Sequence, residues 1–286
     1  MSNNQVTLRQ KLKSYRRTPF SFFVMLLVLL AAVITFAVLF FLIAYVLLHG
    51  VPYLTPSLFS LTYTSENASL PALINTVIMT LLSLLIAVPL GIFSAIFLVE
   101  YAGRGNKFVE VIRLTTETLQ GIPSIVYGLF GMLFFVSTCG WGFSILAGAF
   151  TLSIMVLPLI MRSTEEALKA VPDSYREGSF GLGAGKLRTV FRIVLPSAIP
   201  GILAGVILAV GRIVGETAAL IYTAGTYADI PKNVMSSGRT LAVHMYNLAS
   251  EGLYMDQAYA TAVILLVLVV GINTLSGFLA KRLTRA

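Results

Sequence analysis

Two oppositely charged side chains, Arg212 and Glu216, lie four residues apart inside an otherwise apolar stretch of the chain. A charged side chain at the centre of a bilayer costs about 2.5–3.5 kcal/mol on insertion scales, so such residues face a protein interior or a water-filled path. Residues four apart share a helix face, which predicts that these two side chains pair. Two interpretations follow: a buried ion pair that fixes helix packing, or an anion-binding position along a transport pathway.

The chemistry that this pair favours is the binding of an oxyanion. The planar guanidinium of Arg212 is suited to two parallel hydrogen bonds with a tetrahedral oxyanion. Glu216 would neutralise Arg212 in the empty state, and it would accept a hydrogen bond from a protonated oxyanion such as hydrogen phosphate, whereas sulfate has no proton to give. Thr217 is a further pathway candidate. Gly211 and Gly215 suit the close approach of a second helix.

A second candidate segment contains Pro123, followed by Ser124 and Tyr127. Proline interrupts helical hydrogen bonding and makes backbone groups available, so the two hydroxyl groups would lie near a path. A kink packed by small residues is the alternative. Asn75 and Thr76 likewise either line a pore or begin a helix at the membrane interface. The single cysteine has no His or Cys cluster near it, so we expect no metal site and no catalytic residue.

A polar interruption, Asp173 to Pro196, separates two apolar stretches and predicts a helix–turn–helix that protrudes from the membrane. Glu177 would project its charge outward, Gly183 permits a tight turn, and Pro196 would begin the next helix. The interruption is either a solvated loop or a docking site for a partner. Its candidate docking residues are Glu177, Gly178, Ser179, Gly183, Ile193, Leu195 and Pro196.

The elements that position these residues are membrane helices. Hydrophobic residues make up 57% of the chain and charged residues 11%, with a mean hydropathy of +0.88, whereas soluble proteins carry about 25% charged residues. A spanning helix needs about 20 apolar residues. Six stretches qualify: Phe20 to Leu48, Leu73 to Val99, Leu119 to Val136, Phe143 to Met161, Ala198 to Ala224 and Ala258 to Leu279. No Gly-x4-Gly-Lys-Ser/Thr phosphate loop is present, so we expect no ATPase of that class.

The Lys and Arg residues predict the orientation. All 20 except Arg212, Lys232 and Arg239 lie in the N-terminal tail, the second-to-third and fourth-to-fifth connections, and the C-terminus. The positive-inside rule therefore places both termini and the polar interruption in the cytoplasm. The net charge of +8 is explained by lipid head groups and topology, so we expect the lipid bilayer and not nucleic acid as a partner. Of the outer segments, the stretch from Arg239 to Ser250 could lie along the membrane surface.

The polar interruption resembles the coupling loop of binding-protein-dependent ABC importer permeases, Glu-Ala-Ala-x3-Gly-x9-Ile-x-Leu-Pro, with Gly178-Ser179 in place of the usual Ala-Ala. With four further segments it resembles the PstA-type permease of bacterial phosphate-specific transport (Pst) systems over nearly the whole chain after the tail. Those segments are Asn75-Thr76 with Val88 to Gly91, Gly121 to Gly128, Gly211 to Thr217, and His244 to Gly252.

The resemblance implies an all-α, six-helix type I (MetI-like) permease in the bacterial cell membrane. It implies a cytoplasmic basic tail over residues 1–19, a first transmembrane helix over 20–49 and a permease domain over 71–281 that includes the coupling loop, 173–197. In that family the Arg and Glu that match Arg212 and Glu216 are implicated in phosphate passage, and the loop sits in a cleft of the ATP-binding subunit.

The resemblance also implies partners: a PstC-type second permease, two PstB-type subunits that bind ATP and Mg, and an extracytoplasmic PstS-type phosphate-binding protein. This chain itself would hold no cofactor. Three other functions remain open. They are a permease for sulfate, molybdate or tungstate, a stand-alone secondary transporter or channel, and a membrane scaffold or sensor component.

Overall fold

A computed structural model describes residues 19–63, 68–102 and 105–283, and the regular secondary structure in these ranges is entirely helical. The first helix, α1 (Pro19–Gly50), belongs to a compact unit of its own. Its side chains are apolar on every face and largely exposed, as expected of a helix surrounded by lipid. The basic tail and Arg104 lie outside the described residues.

The second unit contains the remaining helices. In chain order they are α2 (Leu70–Ile96), α3 (Lys107–Gln120), α4 (Ser124–Gly131), α5 (Ile145–Lys169), α6 (Asp173–Gly181), α7 (Lys186–Thr189), α8 (Leu195–Val214), α9 (Ala218–Ile221), α10 (Leu241–Glu251) and α11 (Met255–Leu283). Three π-helical segments extend α2, extend α4 and precede α8: Phe97–Tyr101, Met132–Thr138 and Val190–Val194.

Five of the described helices are long and apolar enough to cross a membrane, and α3 with α4 would make a sixth crossing. The all-helical, multi-span prediction is therefore confirmed. The third predicted span, Leu119 to Val136, is not one straight helix, because the axis bends by 103° between α3 and α4. Pro123 causes the interruption: it lacks an N–H group and is itself extended, with φ −58° and ψ 141°.

The fifth predicted span, Ala198 to Ala224, also consists of two elements. The chain is helical from Lys186 to Val214 and then leaves the helix. Thr217, with φ −123° and ψ −55°, precedes the four-residue helix α9. The helix therefore ends after Arg212 and before Glu216, so the two charged residues of this stretch do not lie in the same helix.

The core lies where α2, α5 and α8 pack together. Small residues allow the close approach of α8 to α5, since a Cβ at Gly201 or Gly205 would collide with side chains of α5. The close approach expected at Gly211 and Gly215 is not made within the described part of the chain, where a Cβ on Gly211 would meet open space. The contact between these helices therefore lies further from the break than the sequence indicated.

Polar contacts show at which end of this bundle each connection between the helices lies. The N–H of Ser144, which precedes α5, donates to the carbonyl of Thr223 at 3.1 Å. Where α2 and α5 end, Arg176 of α6 instead contacts Glu100 at 2.7 Å. We call the end that carries α6 and α7 the loop end, and the end that carries the 223–240 segment the distal end.

The stretch from Arg239 to Ser250 forms most of α10 and is not simply a surface segment. Leu241 to His244 are all buried, and α10 packs against α2 and α11. The prediction that this stretch lies along the membrane surface is therefore corrected. Burial of four successive residues needs contacts on more than one side, which the neighbouring helices provide.

Candidate functional site

Arg212 and Glu216 do not form the predicted ion pair. The helix ends at Val214, so the four-residue spacing no longer places the two side chains on one face. Glu216 is 8% exposed, and its Oε1 accepts the backbone N–H of Ala219 at 3.1 Å. Arg212 is partly buried and has no ion pair within 4.0 Å among the described residues. Its guanidinium is therefore left without an internal counter-charge at contact distance.

Two short elements gather around the broken end of α8. Glu216 fastens the first turn of α9, and Thr217 lies at its start. The helix α9 packs closely on α4, because a Cβ added to Gly128 would lie 2.7 Å from the Cα of Ala219. The end of α8, the helix α9 and the helix α4, which carry or adjoin the predicted pathway residues, therefore lie in one region.

Tyr127 and Ser124 lie directly after the bend. The hydroxyl of Tyr127 donates to the carbonyl of Leu119 at 2.7 Å, and its ring is 5% exposed. This bond joins α4 back to the last turn of α3, so the donor proton is engaged in holding the bend. Ser124 occupies the first position of α4 and is partly buried. For Tyr127 the geometry favours the packed-kink interpretation.

Asn75 and Thr76 join α2 to α10 at the distal end. Both are buried, Asn75 Nδ2 donates to the carbonyl of Arg239 at 3.2 Å, and Thr76 Oγ1 accepts the N–H of Leu241 at 2.8 Å. These bonds satisfy backbone groups of the connection that leads into α10. This cross-link describes Thr76 and the amide nitrogen of Asn75 better than the pore-lining interpretation or the interfacial helix start does, and the amide oxygen of Asn75 takes no part in it.

The polar interruption forms the helix–turn–helix that the sequence indicated. Gly183 has φ +81°, a left-handed conformation that glycine adopts readily. Ser179 of α6 lies with its Oγ 2.8 Å from Oγ1 of Thr189 in α7, and both side chains are buried. The serine that replaces the usual alanine therefore ties the two short helices together.

Pro196 does not begin the helix in the way that the sequence indicated. The chain is already helical from Lys186, and the π-helical segment before α8 contains Ile193. A π-helical segment shifts the hydrogen-bond pattern, so a residue without an N–H group is accommodated inside a continuous helix. Leu195 and Pro196 are the first two residues of α8. The second half of the loop, from Lys186, and the helix of Arg212 are therefore one continuous element.

The tip of the loop presents apolar side chains around a carboxylate. Glu177 and Gly178 are exposed, as are Phe180, Leu182 and Leu187, and Leu182 is 91% exposed. Exposed apolar patches with a polar rim mark interaction surfaces. The loop surface therefore fits a protein partner better than it fits a solvated loop.

Arg176 is a functional candidate that sequence reasoning missed. Its guanidinium contacts Glu100 at 2.7 Å and also donates to the carbonyls of Leu168 and Val171, each at 2.9 Å. The pair is largely buried, with side-chain exposures of 15% and 8%. It fastens α6 to the ends of α2 and α5. The available signal was Glu100 itself, since an acidic residue at the end of a long apolar run needs a cation nearby.

Comparison with known proteins decides the family. Residues 87–286 match the family described as binding-protein-dependent transport system inner membrane component. The chain belongs to this family. It is 37% identical over 246 residues to the probable ABC transporter permease protein YqgI of Bacillus subtilis (strain 168), covering 79% of this chain and 82% of that protein. It is 36% identical over 217 residues to the phosphate transport system permease protein PstA of Mycobacterium leprae (strain TN), covering 74% and 71%.

Solved importer structures share the fold. One is the bacterial alginate ABC transporter in complex with an alginate pentasaccharide-bound periplasmic protein, with a TM-score of 0.71, 17% identity and coverage of 96% and 98%. Another is the inward-facing MetNI methionine ABC transporter, with a TM-score of 0.57, 20% identity and coverage of 73% and 91%. The chain is thus a multi-pass membrane permease of an ABC importer, and its resemblance to PstA-type permeases is confirmed.

Proposed function

We propose that this permease forms half of the translocation pathway of an ATP-driven inorganic phosphate importer. The observation that carries the proposal is Arg212, a cation at the broken end of a membrane helix with no ion pair among the described residues. A buried or half-buried cation of this kind favours an anionic cargo. The relatives named as PstA phosphate permeases support phosphate as that anion.

In this mechanism Arg212 donates to two oxygen atoms of hydrogen phosphate as the anion passes the end of α8. Glu216 already uses Oε1 to hold α9, and its other carboxylate oxygen accepts a hydrogen bond from the hydroxyl group of hydrogen phosphate. Sulfate lacks that hydroxyl group and would meet an unpaired carboxylate instead. The selection of a protonated oxyanion therefore rests on Glu216, while the attraction rests on Arg212.

Coupling to ATP hydrolysis runs through the loop end. The two partner ATPases bind ATP and Mg, and one of them receives the exposed face around Glu177 and Leu182. Movement of α6 is passed to α2 through Arg176 and Glu100. It is passed to the pathway along α8, where Arg212 lies about 24 Å beyond Pro196 at 1.5 Å per residue.

The assembly completes a site that this chain forms only in part. A PstC-type permease would supply the other wall of the pathway, two PstB-type ATPases the energy, and a PstS-type extracytoplasmic protein the cargo. The alginate transporter that shares this fold was solved in complex with a periplasmic protein, which supports a binding-protein partner for this permease. We place the docking site of that partner at the distal end. Docking there requires the distal end to face outward, as the positive-inside rule predicts.

The experiment that tests the proposal is anion competition in the reconstituted complex. We expect ATP-dependent uptake of radiolabelled phosphate that unlabelled phosphate inhibits and that sulfate, molybdate and tungstate leave largely unchanged. Preferential uptake of one of those other oxyanions would replace phosphate as the cargo. Uptake that persists without ATP and without partner subunits would instead identify a secondary transporter.

A further inference from the structure

Arg239 is a buried cation at the distal end, outside the region of Arg212. It is 6% exposed, its backbone N–H donates to the carbonyl of Tyr227 at 2.9 Å, and its backbone carbonyl accepts from Asn75 Nδ2 at 3.2 Å. Its guanidinium carbon lies 4.7 Å from the ring centroid of Tyr63. A cation against an aromatic face is attracted by the ring but keeps its edge hydrogen bonds available. The flat face of the guanidinium therefore packs on the Tyr63 ring, and its N–H groups at the edge are left to bind a hydrogen-bond acceptor.

The edge of Arg239 that carries Nε and Nη2 is buried, and neither nitrogen has a hydrogen-bond partner within the part of the chain that the structure describes. These two N–H groups are parallel and match two oxygen atoms of a carboxylate or phosphate group. Arg239 also has no ion pair within 4.0 Å among the same residues. A buried cation without a counter-charge is strongly destabilising. Both the charge and the fork geometry point to an oxyanion.

Two further buried polar atoms belong to residues that adjoin Arg239, because Thr240 follows it in the chain and Asn75 contacts its carbonyl. Thr240 Oγ1 and Asn75 Oδ1 are buried and without partners among the described residues. The amide nitrogen of Asn75 donates to two backbone carbonyls, those of Arg239 and Asp229, so its oxygen is left as an acceptor. The cluster thus offers the Arg239 fork and a hydroxyl as donors, and one amide oxygen as an acceptor. That combination suits a tetrahedral oxyanion that carries one proton.

Asp229 is the internal competitor for Arg239. Its Oδ1 accepts the backbone N–H of Tyr63 at 2.9 Å, which places its carboxylate in the same cluster. The carboxylate nevertheless makes no ion pair with Arg239 at contact distance in the described structure. An Arg239–Asp229 pair formed in another conformation would be structural, and it would not require an anion.

We propose that Arg239, Thr240 and Asn75 form a second oxyanion site at the distal end, which receives the transported anion before it reaches Arg212. The proposal rests on the proposed function for its order of events, because the distal end must face the binding protein. The chemistry of the site rests only on the cluster itself. Its ligand class is a singly protonated tetrahedral oxyanion, with inorganic phosphate as the probe.

The test measures equilibrium binding of radiolabelled phosphate to the complete transporter in lipid nanodiscs, without the binding protein and in an Arg212→Gln background. We expect saturable binding that Arg239→Lys weakens at least tenfold, because lysine keeps the charge but loses the fork. Thr240→Val is expected to weaken binding without loss of assembly, since its hydroxyl has no partner among the described residues. Lys232→Gln, an exposed base in the same segment, serves as the matched control and is expected to bind like its parent.

Unchanged binding in both Arg239→Lys and Thr240→Val would overturn the proposal. The proposal would also be overturned if Arg239→Lys and Asp229→Asn lowered thermal stability equally and left phosphate binding unchanged. That result would assign Arg239 to an internal ion pair with Asp229. If Arg239→Lys does not assemble, Thr240→Val decides. A lipid phosphate held by the same groups would co-purify in native mass spectrometry and resist displacement by free phosphate, which would also overturn the proposal.

The outcome is separable from that of the proposed function. If the wild-type complex transports a different oxyanion, the same binding assay with that anion still tests Arg239 and Thr240. If the complex transports phosphate while both variants bind it normally, the proposed function stands and the distal site does not.

Discussion

Arg176 Nη2 lies 2.7 Å from Glu100 Oε1, and this contact joins the exposed loop, which we propose as the ATPase docking site, to the end of a membrane helix. The same guanidinium donates to the carbonyls of Leu168 and Val171 at the end of α5. One side chain therefore connects α6, α2 and α5. Because the pair is largely buried, we expect its geometry to resist small displacements and to pass a movement of α6 on to α2 and α5.

Removal of one partner from this contact is expected to uncouple the transporter. Arg176→Ala leaves Glu100 buried without its cation, a change that costs about 3–5 kcal/mol when the pair is fully buried. We expect lower thermal stability of the complex and loss of ATP-dependent uptake. The exposed Arg188 of α7 provides the matched control, and Arg188→Ala is expected to retain uptake. Wild-type stability and uptake in Arg176→Ala would contradict the transmitting role.

Charge reversal at the loop tip tests ATPase docking separately. Glu177 is exposed and makes no ion pair among the described residues, so Glu177→Lys is expected to leave folding unchanged. A rim charge affects association and its salt dependence. We expect weaker co-purification of the ATPase and a changed salt dependence of complex assembly. Normal assembly and coupling at all salt concentrations would exclude Glu177 from the docking surface.

Neutralisation of Arg212 is expected to stop phosphate uptake in an assembled complex. Arg212→Gln removes the charge at the end of α8 but keeps a polar, shorter side chain, so assembly of the subunits and basal ATP hydrolysis are expected to remain. Arg212→Lys is expected to retain part of the uptake, because the charge is kept and only the two-pronged geometry is lost. Vesicle uptake of radiolabelled phosphate, with ATPase activity alongside, makes the measurement. Normal uptake in Arg212→Gln would remove Arg212 from the pathway.

Two substitutions separate the structural and the electrostatic roles of Glu216. Glu216→Gln keeps an oxygen that accepts the N–H of Ala219, so α9 is expected to stay in place while phosphate uptake falls. Glu216→Ala also loses this cap, which typically costs about 0.5–2 kcal/mol. Thermal unfolding of the complex and uptake distinguish the two variants. If the glutamine variant transports like wild type, Glu216 acts only as a cap.

The contact between α4 and α9 is expected to tolerate no added side chain. Gly128→Ala would place a Cβ 2.7 Å from the Cα of Ala219, and backbone at that distance must move. Overpacking of this kind typically costs about 1–3 kcal/mol. We expect reduced stability and reduced uptake, whereas Gly211→Ala, which meets open space within the described chain, is expected to behave like wild type. Equal uptake in the two variants would mean that transport does not depend on the close contact between α4 and α9.

Apolar length and turn chemistry made most of the fold predictable. The apolar stretches are about as long as a bilayer requires or longer, so their helical state follows from the need to satisfy backbone groups in lipid. Gly183 and the residues around Glu177 indicated a helix–turn–helix, since a left-handed turn and a charged, mixed surface are both local properties. The departures occurred at local breaks. Pro123 bends the third stretch, and the Gly215 to Thr217 segment ends the fifth helix early.

Hydropathy and charge bias are properties of the chain, so they predicted a multi-span membrane protein with a protruding loop, and the resemblance of that loop to the importer motif indicated a permease. Which charges meet became clear only from the folded chain. Arg212 and Glu216 are close in sequence yet do not pair, whereas Arg176 and Glu100 are far apart in sequence and do. The physical reason is that an ion pair depends on where helices end and cross. Those positions are set by packing between segments that are distant in the sequence.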